Sequence, residues 1–358
     1  MPKTPEQLIR ADIRALSAYH VPDSSGFIKL DAMENPYRLP QALREAIGAL
    51  AADAALNRYP DPAAGALKET LGAAMAVPPG MQMLLGNGSD EIIQMVALAV
   101  ARPGAVVLGL EPSFVMFRMV AQFAGMQYAS VALTDTFEID VAATLAAISR
   151  HSPSLMFIAY PNNPTGNLFA AADIETIIEA CPGLVVVDEA YHAFAGQSFM
   201  PRLADFENLL VMRTVSKLGL AGLRLGALVG RGTWLQQIDK VRLPYNVNVL
   251  TQLVASEVLR HGDVLDAQAA ATRNERSWLM EELRGLSGVV AYPSDANFIL
   301  FRISNAGRVF DGLRQRGVLL KSFAGGPGQL ADCLRVTVGT PEENRIFAAA
   351  LRDVLAAG

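Results

Sequence analysis

The feature that most constrains this chain is a series of short apolar runs between Met81 and Thr214: MQMLLG, AVVLGL, MQYASVAL, SLMFIAY, LVVVDEA and LLVMRT. They read as nearly continuous rather than alternating, so both faces of such strands must be covered. Helical stretches supply the cover. GSDEIIQMVALAVA, VAATLAAISR and AADIETIIEA stand between the runs with apolar residues at helical period. Ser89 or Asp90 is able to cap the first of these helices. This alternation predicts an α/β fold with a mainly parallel sheet clad on both faces.

The chain before and after this region reads differently. Residues 1–40 are irregular, punctuated by Pro22, Gly26, Pro36 and Pro40, and read as an arm expected to pack with the small domain and a dimer partner. Two helices, PQALREAIGALAADA and AGALKETLGAAMAV, precede the first strand. Past Pro244 comes a long helical stretch with a break at His261-Gly262. VVAY, NFILFRI, GVLLKS and CLRVTV then read as strands, with NAGRVFDGLRQR and PEENRIFAAALRDVL as helices. The expected division is an arm over 1–40, a large domain over 41–245 and a smaller α+β domain over 246–358. The length of 358 residues and the 51% hydrophobic content allow two cores of this kind.

Several classes of function are excluded. The net charge is −5 and no Lys/Arg cluster forms a phosphate-backbone footprint, so nucleic acid is not an expected partner. The longest apolar stretch, around Ile92–Ala101, is too short to cross a membrane and contains Gln94. Charges occupy the N-terminus where a signal peptide would be apolar. Cys181 and Cys333 lie far apart with no CxxC spacing, which points to a reducing cytoplasm without disulfide or zinc. His20, His151, His192 and His261 have no ligand spacing, so no metal is expected. No GxGxxG follows the first strand and no GxxxxGK[ST] occurs.

In open α/β sheets ligands bind outside the carboxyl ends of the strands. Five such ends carry polar groups. They are Gly86-Asn87-Gly88-Ser89-Asp90, Glu111-Pro112-Ser113-Phe114, Pro161-Asn162-Asn163-Pro164-Thr165-Gly166, Asp188-Glu189-Ala190-Tyr191 and Thr214-Val215-Ser216-Lys217. Each has an ordinary reading as well as a chemical one. Gly88-Ser89-Asp90 opens a helix, whose free amides suit a phosphate, or is only a capped start. Thr214, Ser216 and Arg224 could add donors to the same phosphate. Asp188 ends a buried strand and needs a partner, either a salt bridge or a protonated ring nitrogen. Asn163 and Tyr191 could bond a phenolate oxygen, or be a turn and a core tyrosine. Phe114 could stack on a flat ring or be core. Lys217 carries an amine able to form a Schiff base if its pKa is lowered. Together they call for a phosphorylated aromatic aldehyde with a ring nitrogen and a ring oxygen, and pyridoxal phosphate is that molecule.

YPNNPTG, VVVDEAYHAF and TVSKLGLAGLRLG resemble the fold-type I aminotransferases in order and spacing. LDAMENPY, NRYPDP, LLGNGSDEII and LRVTVGTPEEN extend the resemblance to the histidinol-phosphate aminotransferase family, from about Tyr19 to the C-terminus. The resemblance implies that Lys217 is the Schiff-base lysine, Asp188 the pyridinium partner, and Asn163 and Tyr191 the partners of the ring oxygen. It implies that Phe114 stacks on the ring, and that Gly88, Ser89, Asp90, Thr214, Ser216 and Arg224 form the phosphate cradle. Tyr59 matches a tyrosine that reaches the neighbouring subunit's cofactor, which implies a homodimer with shared active sites. Arg335 matches the arginine that grips the carboxylate of glutamate or 2-oxoglutarate. Tyr19, Asn87 and Glu34 resemble substrate contacts.

Two departures stand out. SKLGLAGLR is one residue shorter than the family's usual segment, which bears on Arg224. The strand VLLKSF carries Lys321 where the family often has a phosphate-binding arginine. A lysine there gives a point charge in place of a bidentate fork.

The implied reaction is transfer of an amino group from L-histidinol phosphate to 2-oxoglutarate, a step of histidine biosynthesis. Lys217 would be the base that moves the substrate proton. The rivals are an aminotransferase for aromatic or other amino acids, a related phosphothreonine decarboxylase and, outside the enzymes, a ligand-binding regulator on the same fold. Such regulators usually need a DNA-binding module, and no segment is spare for one.

Overall fold

The computed structural model describes residues 3–18, 21–326 and 328–357. Among them the strands, in chain order, are β1 (Ile28–Lys29), β2 (Met81–Gly86), β3 (Val106–Glu111), β4 (Gln127–Ala132), β5 (Leu155–Ala159), β6 (Leu184–Asp188) and β7 (Leu209–Thr214). They continue with β8 (Gly226–Arg231), β9 (Val289–Ala291), β10 (Phe298–Ile303), β11 (Val318–Leu319), β12 (Lys321–Ser322) and β13 (Cys333–Thr337).

Seven strands form the main sheet, in the order β2-β8-β7-β6-β5-β3-β4. Those from β7 to β4 are parallel, and β8 runs antiparallel to both its neighbours. The apolar runs divide by alternation between two cores. Leu108, Met156, Ile158, Val185, Val187 and Val211 face the helices Val141–His151 and Ala171–Ala180. Val107, Leu155, Phe157, Val186, Leu210 and Met212 face the helices Ser89–Val100 and Met116–Phe123. Burial on both faces is why these strands carry so little polarity.

β8 left no apolar run to read, because close packing puts glycines in it. A Cβ at Gly226 would stand 2.8 Å from the Gly88 and Ser89 backbone, and one at Gly230 would stand 2.3 Å from the Leu210 side chain. The helix Ser89–Val100 also starts differently from expectation. Its cap is Gly88 at φ +84°, with no side-chain capping bond from Ser89 or Asp90. Asp90 is drawn away by an ion pair with Arg224 at 3.1 Å.

A four-stranded antiparallel sheet, β12-β13-β10-β9, is covered by the helices Gly262–Arg284, Ala306–Gln315 and Pro341–Ala356 through Leu279, Leu283, Val309, Leu313, Phe347 and Leu351. The run GVLLKS, expected as one strand, is divided between two partners. Val318–Leu319 pairs in parallel with β1 of the arm, and Lys321–Ser322 pairs with β13. The arm is held further by Thr337 N–H donating to Leu30 O at 2.8 Å. The helical stretch after Pro244 breaks where expected, into Val249–Arg260 and Gly262–Arg284.

Candidate active site

Parallel register brings Glu111, Ala159, Asp188 and Thr214 to one edge of the main sheet, and β2 ends there at Gly86. A pocket opens at this edge. Ten of the residues singled out in the sequence line it: Ser89, Asp90, Phe114, Asn163, Asp188, Tyr191, Thr214, Ser216, Lys217 and Arg224. Gly88 stands just behind, where a Cβ would meet Arg224 Nη2 at 2.5 Å.

Asp188 ends β6 and is buried. Among the described residues its carboxylate has one hydrogen-bond donor, the Ala190 amide at 3.0 Å. Burial pushes its pKa up to about 7, against the pull of that amide. Lys217 lies on a 3-10 turn, Ser216–Leu218, closed by Gly219 at φ +110°. Its Nζ donates to Ala32 O at 3.1 Å and stands 6.0 Å from the centre of the Tyr191 ring. Burial, and then the positive charge of Arg335, bring the Lys217 pKa down to about 8. Thr214 Oγ1 donates to Leu225 O at 3.0 Å and accepts from the Ser216 amide at 3.1 Å, which folds the turn under Lys217.

Asn163 is a bridge. Its Nδ2 donates to the Tyr191 hydroxyl oxygen at 3.2 Å, and its Oδ1 accepts from Arg335 Nη1. Burial raises the pKa of the Tyr191 phenol, so it stays a neutral donor. Arg335 is buried on β13, donates through Nη2 to Asp31 O at 2.9 Å and lies over the Phe298 ring at 5.2 Å. Lys321 is its cross-strand neighbour. Partial burial and then the Arg335 charge hold the Lys321 ammonium below the ordinary lysine range.

The remaining candidates are placed otherwise. Glu34 is exposed and pairs with Lys29 at 2.6 Å, and its charge opposes the lowering of the Lys217 pKa. The Asn87 amide donates to Glu91 Oε2 at 2.6 Å, and its side chain does not line the pocket. Tyr59 is 80% exposed, stacks on Tyr245 at 4.4 Å and does not reach the pocket of its own chain. Tyr19 lies outside the described residues. Despite the short SKLGLAGLR segment, Arg224 lines the pocket, with its backbone in the left-handed region at φ +48°.

Sequence reasoning expected the arm but missed its backbone contacts at the site. Asp31 and Ala32 meet Arg335 and Lys217 through carbonyl oxygens, and Met33 lines the pocket. Backbone carbonyls leave no signal in residue type. It also missed a buried ion pair, Glu189–Arg213, behind the strand ends, although both residues stand in the quoted motifs.

The family model for aminotransferase class I and II matches residues 25–351. The chain belongs to that family. This aminotransferase is therefore an enzyme, and its cofactor is pyridoxal phosphate. It is 56% identical to the histidinol-phosphate aminotransferase 2 of Cupriavidus pinatubonensis, over 98% of this chain and 99% of the relative. It is 54% identical to the histidinol-phosphate aminotransferase 1 of Ralstonia nicotianae, over 97% and 95%. The crystal structure of histidinol-phosphate aminotransferase from Sinorhizobium meliloti in complex with pyridoxal-5'-phosphate superposes with a TM-score of 0.87, at 25% identity and 98% coverage of both chains.

The residues present fit that cofactor. Asp188 is a desolvated carboxylate with a single neutral donor, which a protonated ring nitrogen would complete. The Tyr191 hydroxyl accepts from Asn163, so its own proton is available for a ring oxygen. Ser216 and Arg224 offer a hydroxyl and a guanidinium, and the absence of a Cβ at Gly88 leaves room for that guanidinium beside the start of a helix, a place that suits a phosphate.

Proposed function

We propose that this aminotransferase moves the amino group of L-histidinol phosphate to 2-oxoglutarate, giving imidazole acetol phosphate and glutamate. The observation that carries the reading is one pocket at the strand ends lined by Lys217, Asp188, Asn163, Tyr191 and Arg224, in which the lysine amine is brought down to about 8 and the aspartate carboxyl raised to about 7. Burial drives both shifts, and strongly perturbed titrating groups gather at active sites. The names of the relatives support the substrate.

Pyridoxal phosphate, when bound, supplies an electron sink for the substrate's Cα–H bond and carries the amino group between the two half-reactions. The chain's own residues do the rest. Lys217 Nζ, close to half neutral near pH 8, accepts the Cα proton and returns it on the other side of the transfer. Asp188 holds a positive ring nitrogen, and that partner in turn favours its charged form. Tyr191 and Asn163 orient the ring oxygen, and Phe114 covers a ring face. Ser89, Ser216 and Arg224 hold the cofactor phosphate. Arg335 takes the carboxylate of 2-oxoglutarate, and Lys321, beside it on β12, takes the phosphate of histidinol phosphate. Arg335 already donates to Asn163 and Asp31 O, so its planar fork is oriented before substrate arrives.

The same reading makes the enzyme a cytoplasmic homodimer with the division into arm, large domain and small domain given above. Tyr59, exposed and stacked on Tyr245, then faces the second subunit's pocket. The test is the visible absorption spectrum of the purified protein during addition of L-histidinol phosphate, with carbon dioxide release followed in parallel. Loss of the yellow band without carbon dioxide supports the reading. A band unmoved by histidinol phosphate sinks the substrate and leaves the family.

A further inference from the structure

Asp188 and Thr214 look into the pocket, so strand alternation sends their neighbours Glu189 and Arg213 to the opposite side. Both are buried, and they form an ion pair at 2.8 Å. The Glu189 carboxylate accepts from Arg213 Nε at 2.9 Å, from Ser198 Oγ at 2.9 Å and from the Phe199 amide. Arg213 uses its other two nitrogens as well. Nη1 donates to Met75 O at 3.0 Å and Nη2 to Ser198 Oγ at 2.8 Å. Four separate pieces of chain thus meet at one charge pair: the ends of β6 and β7, the Ser198–Phe199 turn, and the end of the helix Gly65–Ala74. The Glu189 backbone is tied into the same knot. Its amide donates to Met212 O at 2.8 Å, and its carbonyl accepts from the His192 amide and faces His192 Nδ1, both at 3.1 Å.

We infer that Glu189 and Arg213 are positioning residues, which set the spacing between Asp188 and the Ser216–Lys217 turn and so the fit of the pocket to its cofactor. The inference rests on the pyridoxal-phosphate reading of the site. Its physical ground is that, among the described residues, one amide bonds the Asp188 carboxylate, so the place of that carboxylate is set by the strand end that carries it. A shift of about 1 Å at such a point costs on the order of a hundredfold in a reaction. A fork that bonds through three nitrogens fixes position in a way that a lysine cannot.

The experiment compares Glu189→Gln, Arg213→Met and Arg213→Lys with Val186→Ala, a buried core change in β6 on no pocket wall. The dissociation constant of pyridoxal phosphate for the cofactor-free protein is measured together with Tm, and with the pH midpoint of the bound cofactor's yellow absorbance. The expected result is cofactor binding weaker by about tenfold or more in Glu189→Gln and Arg213→Met, a displaced pH midpoint, and partial recovery in Arg213→Lys. Val186→Ala should lower Tm and leave both cofactor readouts in place. Equal cofactor binding and equal midpoints across all four variants would overturn the inference, leaving the pair a purely structural element. Should Glu189→Gln not fold, Arg213→Lys, which keeps the charge, carries the comparison. If wild type fails to take up pyridoxal phosphate, the cofactor reading itself falls, and that outcome is separate from any difference among the variants.

Discussion

Of the pocket's two walls, the one made by strand ends of the main sheet presents side chains: Asp188, Tyr191, Thr214, Ser216 and Lys217, each fixed by a rigid strand or the turn after it. The other wall is made by the arm, which lines the pocket with Met33 and meets Lys217 and the buried Arg335 of β13 through the carbonyls of Ala32 and Asp31. The first wall holds the groups that titrate near neutrality. The second wall adds an ion pair between Lys29 and Glu34, and Lys321 stands beside Arg335 across the strand pair. A chain that must keep one cofactor and admit two substrates gains from this division. The cofactor wall is carried by strand ends, and the second wall holds Arg335 ready for a carboxylate.

The division can be broken most sharply at Lys217. Lys217→Ala should lower kcat by about a thousandfold or more, since general acid–base catalysis alone contributes about 10² to 10⁴, while circular dichroism and Tm stay near wild type. Turnover at a wild-type rate would refute the assignment of the cofactor wall. Asp188→Asn should come next, with a fall in kcat of about a hundredfold and little change in either substrate's KM.

Arg335→Ala should leave the cofactor bound and raise KM for 2-oxoglutarate by about a hundredfold, the range for losing a buried charge-assisted contact. Lys321→Ala should raise KM for histidinol phosphate by only about threefold to tenfold, because an exposed point charge is screened. If Lys321→Ala instead raised both KM values alike, the separation of roles on the second wall would fail.

The smallest effect is thermodynamic and concerns the cofactor-free protein. The Asp188 pKa is raised in the folded state to about 7 from its ordinary 3.8. Its contribution to stability is fully present below the lower value and is lost as pH rises through the higher one. Lys217 is lowered to about 8 from 10.5, so its contribution is present above 10.5 and is lost as pH falls through about 8. Calorimetry at pH 8 should therefore show Asp188→Asn unfolding a few degrees above wild type without cofactor, and below wild type once cofactor is bound. A higher Tm for wild type in both states would mean that Asp188 is not a strained, unpaired charge.

Much of the first wall was legible because its chemistry is carried by residue type at strand ends. An aspartate after LVVV, a lysine after LLVMRTVS and the glycines before SDEII stand where apolar runs stop. The strand β8 was not legible, since Gly226 and Gly230 are selected for what lies against them and not for strand propensity. The capping of Ser89–Val100 was misread for a related reason. Asp90 is within reach of a cap locally, but Arg224, distant in sequence, claims it.

The sequence by itself determined the alternation of strand and helix, the parallel sheet that this demands and the set of side chains at its carboxyl edge, because burial on two faces and strand ends both write themselves into residue type. Only the tertiary structure decided that the arm meets Arg335 and Lys217 through Asp31 and Ala32, that Arg335 reaches Asn163, and that Glu189 and Arg213 tie the strand ends together from behind. Those contacts depend on backbone oxygens and on register between distant segments, and neither leaves a trace in the order of the amino acids.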